Sequence, residues 1–226
     1  RIWACPRRNP RGKRIFSPND GQARMARFFA RYPEQPGAGG CGQAGWRDNR
    51  DGCTTGGMKG LAMTADEVAA LFTRGDGSYL FARWARPLAP VVFGVEDSTL
   101  AMVKKAIESV ASIARHPLAE TDPEQGANLM IFFFHDWSEL LTVPDIEGLV
   151  PGLSGRIAQF QAEGADQYRH FRFEPDGAIR ACIAFVRMDG ALADVPAADL
   201  SLSLAAQVML LWSDGAFRTR PALQRA

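Results

Sequence analysis

The chain has 226 residues, 46% of them hydrophobic, which is enough to bury a core and excludes global disorder. Its formal net charge of +1 hides a split, because residues 1–50 hold 11 basic against 3 acidic side chains, so a +8 arm precedes a −7 body. No apolar run reaches the roughly 18–20 residues that a membrane-spanning helix needs, and the longest, Leu129–Phe134 and Val208–Trp212, are of core size.

Residues 1–60 read as a basic, irregular extension rich in glycine and proline, with one amphipathic helix over Gly21–Tyr32, where Met25, Phe28 and Phe29 share a face. Pro33, Pro36 and the glycines from Gly37 to Gly40 stop that helix. Residues 61–226 read as one α+β globular domain. It opens with the capping box Thr64-Ala-Asp-Glu67, which starts a short helix through Phe72. A strand pair is expected at Tyr79–Trp84 and Val91–Val95, separated by Pro87 and Pro90. Leu100, Val103, Ile107, Val110 and Ile113 recur at helical spacing and predict an amphipathic helix over 98–114. Asn128–Phe134 reads as a buried strand. Gln167–Phe173 and Ala178–Met188 follow as two strands joined by the turn Pro175-Asp176-Gly177. A last helix over 198–212, apolar nearly all round from Leu200 to Trp212, belongs in the centre of the fold. Strands and helices do not alternate strictly, so the reading is α+β: a mixed or antiparallel sheet packed with two main helices.

Cys5, Cys41, Cys53 and Cys182 bear on compartment. Cys41 and Cys53 bracket a polar loop that burial cannot hold, and a bridge there would contribute on the order of 3 kcal/mol in the chain-entropy model. Cys5–Cys182 would then tie the arm to the body, though four cysteines allow three pairings and four free thiols are the alternative. Oxidised cysteines point to a periplasmic or secreted protein. Arg1 in place of an initiating methionine fits the removal of an upstream leader. No Cys-x-x-Cys pair suggests zinc.

Chemical motifs are fragmentary. Gly37-Ala-Gly39-Gly-Cys-Gly42 matches the dinucleotide fingerprint in letters, but a proline-rich turn precedes it instead of a strand, so no cofactor is expected. Asp48-Asn-Arg-Asp51-Gly is similar to a calcium loop, but Arg47 stands where an acid is needed and no bidentate glutamate sits at the required distance. His135, Asp136 and Glu139 stand just past a buried strand and are the candidate acid–base or metal-binding group, although only one is an imidazole. His116 closes a helix, and His170 is expected to face solvent from its strand. Gly152-Leu-Ser154-Gly155 falls one residue short of a nucleophile elbow, and Cys182 reads as a buried, inert thiol. Arg7, Arg8, Arg11, Lys13 and Arg14 are the candidate partner-binding residues, suited to an acidic protein surface or another anionic surface. Trp3 and Phe16 beside them could stack on bases, which makes nucleic acid the lesser alternative.

Several short motifs recur in a particular order: Arg83-Trp84-Ala-Arg-Pro87, Ala114-Arg115-His116-Pro117, Ala127-Asn128-Leu129-Met130-Ile131, a strand bearing Cys182, and a last helix running Met209-Leu-Leu-Trp-Ser-Asp214. Over residues 79 to about 217 this order resembles an uncharacterised extracytoplasmic family of alphaproteobacteria, a domain of unknown function with secreted or lipid-anchored members. The resemblance implies an α+β body faintly similar to zincin peptidases, with an acidic final helix before a Leu-Gly-Leu-x-x-Asp ending. The chain departs from that pattern at Leu204-Ala205-Ala206-Gln207, which supplies no Glu or His. Any hydrolytic chemistry on that helix would be missing here. The expectation is a non-catalytic extracytoplasmic protein or accessory subunit whose arm docks on a protein partner or larger assembly. A hydrolase or metal-dependent enzyme centred on His135, Asp136 and Glu139 is the alternative.

Overall fold

A computed structural model describes residues 63–189, 191–213 and 215–217. The expected helix over Gly21–Tyr32, Cys5, Cys41, Cys53 and the basic cluster from Arg7 to Arg14 lie outside the described residues. The fold is α+β. Helix α1 (Ala65–Ala70) starts at the expected capping box, in which the Thr64 hydroxyl accepts from the Glu67 N–H at 3.2 Å and the Glu67 carboxylate accepts from the Thr64 N–H at 2.8 Å.

Strand β1 (Pro90–Phe93) leads into helix α2 (Asp97–Ile113), and β2 (Leu129–Phe134) follows. A 3-10 turn (Trp137–Thr142) and helices α3 (Ile146–Leu149) and α4 (Leu153–Ala162) then precede the hairpin β3 (Gln167–Phe173) and β4 (Ile179–Arg187), and helix α5 (Ala197–Val208) closes the domain. The four strands lie in the order β1-β2-β4-β3. β1, β2 and β4 are mutually parallel, and β3 runs antiparallel to β4. All six residues of β2 are buried, because helices cover both faces of the sheet; a central strand of this kind reads as an unbroken apolar run.

Each face has its own core. On one, Val103, Ile107 and Val110 of α2 and Leu204 and Val208 of α5 pack on Val92, Ile131 and Val186. On the other, Trp137, Leu140, Ile146, Leu153 and Ile157 cover Phe132 and Phe185. Phe93, Phe132 and Phe185 stack across three adjacent strands at centroid separations of 4.7 and 5.4 Å. The Pro175-Asp176-Gly177 turn holds, with Gly177 at φ 86°, where an L side chain would be strained.

Two expectations are corrected, and one stretch gains elements. Tyr79–Trp84 is not a strand; it makes isolated bridges, Thr73 to Tyr79, Arg83 to Leu210 and Trp84 to Ile179, so the segment ties separate elements together rather than pairing with β1. The last helix stops at Val208, four residues short of Trp212, because the Leu211 N–H donates to the Ala82 carbonyl at 3.0 Å and Leu210 bridges Arg83. Helix α4 and the turns before it occupy a stretch where no element was expected, since polar residues interrupt its apolar spacing and only Leu153 and Ile157 are buried.

Candidate functional site

The parallel strands β1, β2 and β4 end at one edge of the sheet. From β1 the chain passes to α2 on one face, and from β2 it passes to the 3-10 turn on the other. Where successive connections diverge in this way a crevice opens beyond the strand ends, and ligands of open parallel sheets collect there. A cavity of about 380 Å³ occupies that place, lined by Gly94, Val95, Glu96, Thr99, Phe133, Leu200 and Ser201 among others. Gly94 makes the close approach of the two strand ends possible. At φ 80°, a Cβ on it would collide with the Phe133 carbonyl, lying 2.9 Å from its carbon and closer still to its oxygen.

The chemistry of this cavity is sparse. Glu96 is its exposed carboxylate, and the buried Ser201 hydroxyl already donates to the Ala197 carbonyl of its own helix. Helices α2 and α5 both begin here without a side-chain cap, but Asp97 and Asp199 stand in their first turns and oppose an anionic guest. Val95, Phe133 and Leu200 make the walls largely apolar.

His135, Asp136 and Glu139, the candidate acid–base or metal-binding group, come together just past the end of β2 through hydrogen bonds that cap the 3-10 turn. Glu139 accepts from the backbone N–H groups of His135 at 3.2 Å and Asp136 at 3.0 Å. Asp136 accepts from the Ser138 N–H at 2.7 Å and from the Ser138 hydroxyl. This is a reciprocal capping box on the 3-10 turn. The Ser138 hydroxyl, then its N–H, holds the Asp136 carboxyl below the usual carboxylate range, which weakens it as a base. Asp-x-x-Glu before apolar residues is itself a capping signature, and the same signature is read at Thr64, so the sequence did carry this signal. Among the described residues, no group of three or more His, Cys, Asp or Glu side chains is positioned to hold a metal ion.

Ser154 lies in the first turn of α4, where the Glu147 carboxylate accepts from the N–H groups of Gly152 and Ser154, both at 2.7 Å. The helix end that an oxyanion would use is therefore filled from within the chain. Cys182 is a free thiol in mid-strand, wholly buried, and burial pushes it up to about 12, too high for a nucleophile at neutral pH. The His116 ring contacts the Arg86 carbonyl at 2.8 Å, and its backbone N–H donates to the Ala111 carbonyl at 2.8 Å, closing α2. His170 is not solvent-facing as expected. It is half-buried, and desolvation, then Arg172 and Arg156, lower its basicity.

Sequence reasoning missed the polar cluster that links the β3–β4 hairpin, through Glu174 of its turn and Arg180 of β4, with the loops before β1 and β2. Arg86 pairs with Glu174 at 2.7 Å and Glu124 at 3.0 Å, and Arg180 reaches Glu124 at 3.1 Å. Beneath them, the fully buried Asn128 donates to the Pro87 carbonyl at 2.8 Å and to Asp122 at 3.2 Å, and accepts from the Ala89 N–H at 2.8 Å. Every donor and acceptor of that amide serves to join loops, which is structural work. No local signal could reveal it, since Arg86 and Glu174 are 88 positions apart.

The fold and these sites define an α+β domain with a four-stranded mixed sheet. No family model, curated protein or solved structure matches the chain.

Proposed function

We propose that this chain is a non-catalytic, extracytoplasmic interaction subunit that docks on a protein partner. The observation that carries the reading is an exposed apolar ridge. Val68, Tyr79, Leu80 and Phe81 are 43, 59, 36 and 46% exposed, and Tyr79 and Phe81 pack on the buried Phe72. The rings of Tyr79 and Phe81 lie edge-on to Phe72 at 6.3 and 5.0 Å, and Trp212 stacks on it at 5.0 Å. Contiguous exposed apolar surface marks interaction sites. The ridge adjoins α1, the element that follows the basic extension, so Arg7, Arg8, Arg11, Lys13 and Arg14 would add electrostatic attraction to the same partner. The use of Asp136 and Glu139 as caps weighs against the hydrolase alternative, and the resemblance to an extracytoplasmic family supports the compartment.

The test is capture from native envelope extracts with the full chain, the Phe81→Asp variant, and a variant carrying Glu at the five basic positions. A partner held by the full chain and lost with both variants supports the reading. A partner held equally by all three removes it. The cavity at the strand ends favours a second reading, a binding module for a compact, mostly apolar ligand. Native mass spectrometry of protein purified from its host would reveal such a ligand, and bare protein that also takes up no small apolar probe would dismiss it.

A further inference from the structure

The two edges of the sheet differ. β1 is four residues long, begins at Pro90 and is buried throughout, so it offers little to another strand. β3 is seven residues long, half-buried for six of them, and no described strand pairs with its outer edge. Its register with β4 is regular as far as Arg172, where a bulge follows.

The regular part, Tyr168-Arg169-His170-Phe171-Arg172, is complementary to its own reverse. We propose that the outer edge of β3 is a homodimer interface, at which a second copy of this chain pairs antiparallel with its two-fold axis at His170, joining the sheets into one of eight strands. In that register Arg169 lies opposite Phe171 of the second copy, Tyr168 lies opposite Arg172 of the second copy, and His170 lies opposite its own copy. Directly opposed side chains interact across antiparallel strands, and an arginine opposite an aromatic ring gains from the ring's quadrupole. Symmetry makes each such contact twice.

Neighbouring registers are poorer. Centring on position 169 sets Arg169 against Arg169, and centring on 171 sets His170 against Arg172. Charges on an edge strand ordinarily discourage pairing; here the alternation of cation and ring leaves one favourable register. The monomer also leaves Arg169 unevenly served. Among the described residues, its one hydrogen bond to a side chain goes to neutral Gln167 at 2.9 Å, and burial depresses its basicity. A ring from a second copy would cover it without requiring an acid. A strand pair of this length buries less than a standard interface of roughly 1,200–2,000 Å², so the dimer is expected to be of micromolar affinity.

The test is sedimentation velocity of the full chain from about 1 to about 200 µM, beside the Arg169→Glu variant. In parallel, His170→Cys is oxidised and its linkages are mapped by mass spectrometry, with Ile113→Cys as the control at a position 82% exposed. Opposed cysteines at a two-fold axis are close enough to bridge. The expected result is a concentration-dependent dimer, weakened about tenfold by Arg169→Glu because two cation–ring pairs are lost, and a 170–170 linkage that the control lacks. A chain that remains monomeric throughout, or a dimer that ignores Arg169→Glu and yields no 170–170 linkage, overturns the proposal. Should Arg169→Glu fail to fold by circular dichroism, the cysteine linkage decides alone.

Discussion

Replacing Gly94 by alanine probes the join between β1 and β2 that also forms the floor of the cavity. The backbone there has φ 80°, in the left-handed region, and forcing an L residue into it costs roughly 1–2 kcal/mol. The added Cβ would also strike the Phe133 carbonyl, 2.9 Å from its carbon, and backbone atoms at the end of a wholly buried strand cannot step aside as a flexible side chain could. Overpacking of a tight core costs about 1–3 kcal/mol, so the total is roughly 2–5 kcal/mol. Against a typical stability of about 5–15 kcal/mol that is a large loss. It corresponds to a fall in Tm of roughly 4–20 °C for a domain of this size.

Gly177→Ala is the internal comparison. Its φ of 86° is similar, but no atom lies within 4 Å of the added Cβ, so only the conformational cost remains. Urea denaturation of both variants separates the two contributions, and Gly94→Ala should be the less stable by about 1–3 kcal/mol. Equal losses would refute the close approach of the β1 end to Phe133, and with it the stated shape of the cavity.

Asn128→Leu should cost roughly 2–4 kcal/mol, because it leaves the Ala89 N–H and the Pro87 carbonyl without their buried partner, as read by denaturant unfolding. Cys182 should resist alkylation at pH 8 in the folded protein and react once the chain is unfolded, since it is wholly buried and pushed up to about 12; rapid labelling of the native state would contradict its burial. His170 adds a pH dependence. Its folded form binds a proton less readily than the unfolded chain, whose histidine titrates near ~6.5, so stability is fully present above that pH and declines as pH falls through it. His170→Gln should flatten the fall in Tm between about pH 7 and 5, and an unchanged slope would show that burial, Arg172 and Arg156 do not act on it as described.

Short-range signals were legible where the physics is local. The capping box at Thr64, the helical spacing from Leu100 to Ile113, the apolar run from Leu129 to Phe134 and the turn at Gly177 each depend on residues a few positions apart, and each appears at its expected place. Asp136 and Glu139 belong with these, since their spacing already describes a cap. The segment from Tyr79 to Trp84 has the composition of a strand, but composition does not say whether a neighbour exists to pair with it, and β1 pairs with β2 instead.

By itself, then, the sequence determined the α+β class, the helix after β1 and the strands β2, β3 and β4 to within a few residues, and the excess of basic over acidic side chains in residues 1–50. The tertiary structure decided the strand order, the cavity at the ends of β1, β2 and β4, the partial burial of His170, and the joining of Arg86 to Glu174 across the chain. Helical spacing and turns arise from contacts between near neighbours, which any sequence displays. Strand order and burial arise from which distant segments pack together, and the apolar patterns of this chain would suit more than one such arrangement.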